Sequence, residues 1–268
     1  MKPKHYFNIA VMGTVITIAF TSCFPGGVPD PYIVAQSRQE ENFYYTPSAH
    51  NAPLIKEKHD LNFNAALSSG TLHSGSELRG SFLPGKHFGI TAAYSSGGNK
   101  SRGTVRHNRL ELGAGYITKL SNQWHFETYG GWGTGNIDNS HYTGTSHVKL
   151  SHFFIQPAFA ITNDKKTVRL GLVSRFAGVN FKVTDTSFAT DREPFSNAQL
   201  ISLYEKPFRM FWEPCIVLRY GWKVFQFHTA YSVSVGLGND DLHRSKSNFS
   251  LGVSLQFNTD KKKKSSQP

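Results

Sequence analysis

Between about residue 60 and residue 257, apolar and polar residues alternate for nine to thirteen positions at a time, and turn residues close each run. The last run places Phe249, Leu251, Val253, Leu255 and Phe257 on one face and Ser250, Gly252, Ser254 and Gln256 on the other. A period of two predicts strands with one buried and one wet face. Ten strands follow from this reading, with cores at 60–67, 75–83, 87–95, 108–118, 124–133, 148–162, 168–181, 208–220, 223–234 and 248–257.

The connections alternate in length. Residues 83–86, 119–123, 163–166 and 221–222 read as tight turns, and 96–107, 134–147, 182–207 and 235–247 as long polar segments. Only the short connection 68–74 departs from the alternation. Transmembrane barrels sort their connections this way, with short periplasmic turns and longer extracellular loops. An even strand count also puts both ends of the barrel at the short-turn rim, where a periplasmic anchor and a free tail can sit. Pro157 and Pro214 fall inside strands. A closed sheet has no edge to hide a missing donor, so bulges are predicted at both.

One face collects Leu61, Phe63, Phe88, Ile90, Leu110, Leu112, Phe153, Ile155, Phe159, Leu170, Leu172, Met210, Ile216, Leu218, Phe225 and Phe227. Its centre carries no Lys, Arg, Asp or Glu. Aromatics gather at its ends: Phe82, Tyr116, Trp124, Tyr220 and Trp222 on the short-turn side, and Tyr94, Trp132, Phe176 and Tyr231 on the other. Interfacial girdles have this arrangement. The opposite face carries Glu77, Arg79, Arg109, Glu111, Glu127, Arg169, Arg175, Arg209, Glu213 and Arg219, with His125, His152, Gln156, Gln226 and His228. A soluble barrel would turn the apolar face inward. That face is too bulky in nearly every strand for a small closed interior. The expected fold is an all-β, closed, antiparallel up-and-down transmembrane β-barrel of about ten strands. Cys215 is expected inside it as a small packed residue.

The N-terminus adds an address. Lys2 and Lys4 precede an apolar run from Ile9 to Phe20 that is too short to span, as in a secretory signal. Phe20-Thr21-Ser22-Cys23 resembles the bacterial lipobox, whose cysteine is lipidated; Phe20 stands where that motif usually has Leu. The alternative is an ordinary signal with an incidental cysteine. The predicted organisation is a lipoprotein-type signal over 1–22, a lipid-anchored tether over 23–57, the barrel over 58–258 and a basic tail over 259–268. The stretch Tyr44-Tyr45-Thr46-Pro47 through Lys58 resembles the lead-in of some lipoprotein-type barrels, its aromatics either docked on the barrel floor or part of a flexible linker. By pattern, residues 60–257 resemble small outer-membrane β-barrel proteins of Gram-negative bacteria, lipid-anchored ones in particular. Phe257 resembles their terminal aromatic, here followed by further residues. The resemblance implies an outer-membrane location.

Six arginines against four glutamates on the polar face give two readings: a paired plug filling a narrow lumen, or a passage or binding site for small anions. Asp240, Asp241 and His243, with Asp185 or Asp191 across the mouth, loosely resemble the carboxylates and Asp–His pair of omptin-type proteases. Solvated loop chemistry explains the same residues. The histidines show no HxxxH spacing, there is no CxxC, and no Ser-centred elbow occurs. The glycines from Gly130 to Gly135 open no helix and read as sites of close strand approach. A net charge of +11, the Lys261–Lys264 run, and Lys100, Arg102, Arg106 and His107 in one loop suit anionic headgroups or lipopolysaccharide phosphates better than nucleic acid. No cofactor or metal is expected. The primary expectation is a non-enzymatic barrel whose loops meet envelope components or an external ligand.

Overall fold

The computed structural model describes residues 43–47, 59–99, 104–141, 144–163, 167–187, 194–222, 224–238 and 242–258. Its strands are β1 (Asp60–Gly70), β2 (Ser74–Phe82), β3 (Phe88–Asn99), β4 (Thr104–Lys119), β5 (Trp124–His141) and β6 (Gly144–Thr162). They continue as β7 (Val168–Thr186), β8 (Phe208–Gly221), β9 (Phe225–Val233), β10 (Val235–Leu237) and β11 (Ser247–Asn258). One helix, α1 (Pro194–Glu205), lies between β7 and β8.

Each strand from β1 to β8 pairs antiparallel with its sequence neighbour, and β9 bridges β8 and β11. β11 in turn pairs with β1, Asp60 opposite Asn258, which closes the ring. β9 and β10 are one strand interrupted at Ser234: Ser232 opposes Cys215 and Val235 opposes Trp212 in unbroken register. The eleven segments therefore form a ten-stranded closed barrel. Closure leaves no unpaired edge, as backbone surrounded by hydrocarbon requires.

The side chains face as the alternation predicts. Leu251 is 58% exposed on the outer wall, with Leu112, Phe153, Ile155, Phe159, Leu172 and Ile216 around the same belt. Glu213, at 0%, and Arg169 are enclosed.

Above this belt the pattern inverts. On β5 the outward Trp132 is followed by outward Thr134, Asn136 and Asp138, while Ile137 turns inward and is buried. On β6 and β7 the outward positions above Phe153 and Phe176 include Lys149 and Lys182, which oppose one another. Inside, the matching positions are Val148, Leu150, Val179 and Phe181. A tilted strand of roughly 9–11 residues crosses a bilayer. β6 and β7 have 19 residues each, so their upper ends stand in water and follow the soluble rule, apolar in and polar out.

This corrects the predicted loops. Most of 134–147 is the hairpin of β5 and β6, and 182–207 contains the end of β7 and α1. The membrane pattern fades there because water lies on the outer wall.

Two further expectations fail. The β7–β8 ladder keeps its register through Pro214, as the β5–β6 ladder does through Pro157. Each proline lacks one donor, toward one neighbour only, and that loss needs no extra residue. The register shift lies instead at His147/Val148. The aromatics of 44–45 dock not on the floor at the short-turn end but inside the barrel near its long-connection rim, against Phe181 and Phe211. The ends of β1 and β11 do meet at the short-turn rim.

The inversion sets a test. Leu112→Arg, in the belt, should lower unfolding free energy in lipid vesicles by roughly 2–4 kcal/mol. Asn180→Lys, exposed on the same wall above the belt, should change it by no more than about 0.5 kcal/mol. Equal costs in denaturant titrations would refute this placement of the membrane boundary.

Candidate functional site: a charge layer and a strap in the lumen

Inward positions of β4, β6 and β7 converge on one carboxylate, Glu111, and β8 adds a second, Glu213, beside it. Arg175 on β7 grips Glu111 on β4 with both fork nitrogens, Nη1 to Oε2 at 3.0 Å and Nη2 to Oε1 at 2.8 Å. Arg109 Nε lies 3.3 Å from the same carboxylate, and His152 Nε2 lies 3.0 Å from it. Arg175 also faces Glu213, its cross-strand partner, with Nε 3.6 Å from Oε2. Its guanidinium covers the Phe154 ring at 4.0 Å. Bidentate, charge-assisted contacts are the geometry that makes enclosed charges tolerable.

Glycines leave the room for this. A Cβ on Gly133, which stands between Glu111 and His152 in the ladder, would lie 2.3 Å from the His152 ring. One on Gly131 would lie 2.6 Å from the Phe154 ring. The glycine run thus makes space for lumen side chains as well as for strand approach.

Residues 43–47 complete the layer. Phe43, Tyr44 and Tyr45 are fully buried. Tyr45 stacks on Phe211 at 4.4 Å, meets Phe181 edge-on and donates its hydroxyl to Glu213 Oε1 at 2.8 Å. Arg109 Nη1 donates to the Thr46 carbonyl, and Asn248 Nδ2 to the Pro47 carbonyl. The Tyr44 amide donates to the His243 carbonyl, and the Ser245 amide to the Tyr45 carbonyl. Phe43 packs against the rings of His73 and His107. Sequence reasoning marked these aromatics but missed that they are lumen residues, since no periodicity ties an isolated strap to a depth in a barrel.

The other predicted charges are spread along the interior. Arg209 holds α1 through Ser202 Oγ at 2.7 Å. Arg169 donates to Gln256, which donates to Asp60 near the short-turn end. Arg219 opposes Arg169 across the ladder and is buried within electrostatic reach of Glu127. Glu77 lies 3.5 Å from Asn248 Nδ2. Arg79, half-buried, lines a cavity with Glu111 and Arg175. Cys215 is buried, as expected.

That cavity measures about 20 Å³, and one beside Glu77 and Arg109 about 10 Å³. Each has room for roughly one water. A recess of about 540 Å³ opens at the long-connection rim, among Thr71, His73, Asn99 and Arg106.

Of the protease-like set, Asp185 is exposed and His243 is held through its backbone, while Asp191, Asp240 and Asp241 lie outside the described residues. An Asp–His contact outside that set joins Asp138 and His147 on the exposed wall. The basic loop set divides: Arg106 is exposed, His107 packs inside, and Lys100 and Arg102 lie outside the described residues. Cys23 and Lys261–Lys264 also lie outside them. No group of three or more metal-ligating side chains occurs among the described residues.

No protein family and no curated protein matches this sequence. Among solved structures, the translocator domain of the autotransporter NalP from Neisseria meningitidis aligns over 84% of this chain and 95% of its own, at 8% identity and a TM-score of 0.46. The NanC porin aligns over 73% and 98%, at 11% identity and 0.38. The outer-membrane protease OmpT from Escherichia coli aligns over 78% and 100%, at 9% identity and 0.35.

Removing one partner of the fork should leave a stranded charge. Arg175→Met and Glu111→Gln should each cost about 3–5 kcal/mol in vesicle unfolding, and the double variant less than their sum. Strict additivity would mean the pair is not coupled. His73, in the β1–β2 connection, is pushed down to about 4 by burial and by the Arg109 charge. Its unfolded value is about 6.5. Between those values the unfolded chain binds a proton that the folded chain refuses, so stability falls as pH drops from 6.5 toward 4. His73→Gln should make that part of the profile shallower by one proton's share of the slope in pH-dependent thermal unfolding, with His107, lowered to about 3 by burial, keeping part of it.

Proposed function

We propose that this chain is a non-enzymatic outer-membrane barrel, held additionally by acyl chains on Cys23, that acts through surfaces at its long-connection rim and does not conduct solutes at rest. The observation that carries this reading is the occupied lumen among the described residues: cavities of about 20 and 10 Å³ border the Glu111–Arg175 layer, and the buried residues 43–47 lie beside it. The rim carries an open recess whose polar lining includes Arg106 and Asn99. Envelope components with phosphate groups, lipopolysaccharide among them, fit that chemistry. Two or more acyl chains give stable attachment where one does not.

A second reading, a site for small anions, is favoured by the Arg169–Arg219 pair, which puts two guanidinium groups opposite each other below the layer.

The full chain reconstituted in planar bilayers should show no conductance steps, and a stable channel current would overturn the resting-plug reading. Chloride- or phosphate-dependent rises in unfolding temperature that vanish in Arg219→Gln would support the second reading. Peptide cleavage abolished by His243→Ala would overturn the non-enzymatic assignment.

A further inference from the structure

The outer wall above the apolar belt is laid down in rows, because strand register fixes which outward side chains share a height. Leu112, Trp132 and Phe153 form one row at the top of the belt. Two positions further along each strand stand Leu110, Thr134, Ser151 and Asn180. The next row is Asn108, Asn136, Lys149 and Lys182.

Lys149 and Lys182 are both exposed and stand directly opposite one another. Cross-strand partners on one face have Cβ atoms about 4.5–5.5 Å apart, where like charges repel. The nearest outward carboxylates along these strands lie in the row above. There Asp138 is engaged by His147 at 2.8 Å, and Asp185 opposes the same histidine. Beside the lysines, Asn136 opposes Lys149 and donates its amide to Asn108 Oδ1 at 3.2 Å. The lysine row is thus cationic, and among the described residues it holds no carboxylate.

Height decides what this pair meets. Lys149 lies four positions beyond Phe153 (153 − 149), about 13 Å along the strand and about 10 Å along the membrane normal at a tilt near 40°. The polar headgroup layer adds roughly 5–7 Å to each side of the hydrocarbon. Flexible four-carbon stems let both ammonium groups lean down toward it. The wall here continues the lipid-facing one, so lipids packed against Trp132 and Phe153 bring their headgroups to this row.

We propose that Lys149 and Lys182 clamp a phosphate group of an outer-leaflet lipid against the wall of β6 and β7. This clamp rests on the outer-membrane reading and owes nothing to the rim recess. A phosphate monoester carries about −1.5 to −2 charge at pH 7 and three strong acceptor oxygens, enough for both ammonium groups at once. It turns the repulsion between the lysines into a shared attraction. A zwitterionic headgroup leaves that repulsion in place. The phosphorylated acyl sugars of lipopolysaccharide have the required chemistry, and lysine binds phosphate as a point charge that can follow a mobile lipid.

The test compares the full chain with Lys149→Gln/Lys182→Gln. Each is folded in mild detergent and titrated with lipid A, the phosphorylated acyl-sugar part of lipopolysaccharide, and bound lipid is counted by native mass spectrometry. The double variant should bind lipid A roughly thirtyfold more weakly, the share expected of two lysines near an anionic surface. Lys149→Arg/Lys182→Arg keeps both charges and should keep most of the affinity. Dephosphorylated lipid A should bind the unaltered chain as weakly as lipid A binds the double variant. Heat-dependent gel migration checks that each variant is folded, as exposed positions lead one to expect.

Equal binding of lipid A by the unaltered chain and the double variant would overturn the clamp. Displacement of lipid A by equimolar inorganic phosphate would overturn it too, since the lipid would then contribute nothing. Failure of the unaltered chain to insert into phosphatidylcholine vesicles would instead remove the outer-membrane reading, and the clamp with it.

Discussion

Hydrocarbon around the wall is the constraint from which the rest of this structure follows. No water is available there to satisfy an N–H or C=O group, so the sheet must close, and the one register shift of the β6–β7 ladder, at His147/Val148, lies above the belt. Closure explains why the ladder tolerates Pro157 and Pro214 without added residues, each omitting one donor in place. It also forces half of every strand to point into a narrow interior. With apolar residues already committed to the outer wall, that interior receives the polar set.

Filling the interior then becomes the second problem, and it is solved with charge. Glu111 is shared by Arg175, Arg109 and His152, and Glu213 by Arg175 and Tyr45. An enclosed carboxylate is tolerable only with several donors, and the strap supplies one of them. Tyr45 therefore links two facts that look independent, the occupied lumen and the paired charge layer. A strap that contributes a hydroxyl donor to one glutamate and accepts from Arg109 is built into the network.

Outside the bilayer the same strands obey the opposite rule. Lys149, Lys182 and Asp138 face water, while Val148, Leu150, Val179 and Phe181 form an apolar cluster with Phe211 and the aromatics of 43–45. The upper barrel is thus packed as a soluble one, and α1 joins this cluster through Leu200 and Leu203. The functional reading follows from that division of labour. The recess at the rim among Thr71, His73, Asn99 and Arg106 is the open surface on which the proposed contacts rest.

Alternation from Leu61 to Phe257 was enough to give the closed ten-stranded fold, the outward belt and the enclosed arginines and glutamates, because a period of two and the solvent on each face determine orientation directly. The membrane part of each strand was legible for that reason. The upper halves of β5, β6 and β7 were not, since the solvent outside changes along a continuous strand and the pattern inverts with it. Pairing among the charges was equally hidden: Glu111 and Arg175 are 64 positions apart, and only the register of four strands puts them in contact. Above all, the place of Tyr44 and Tyr45 was decided by tertiary structure. A short strap carries no period of its own, so its depth and direction come only from the side chains of the cavity that receives it.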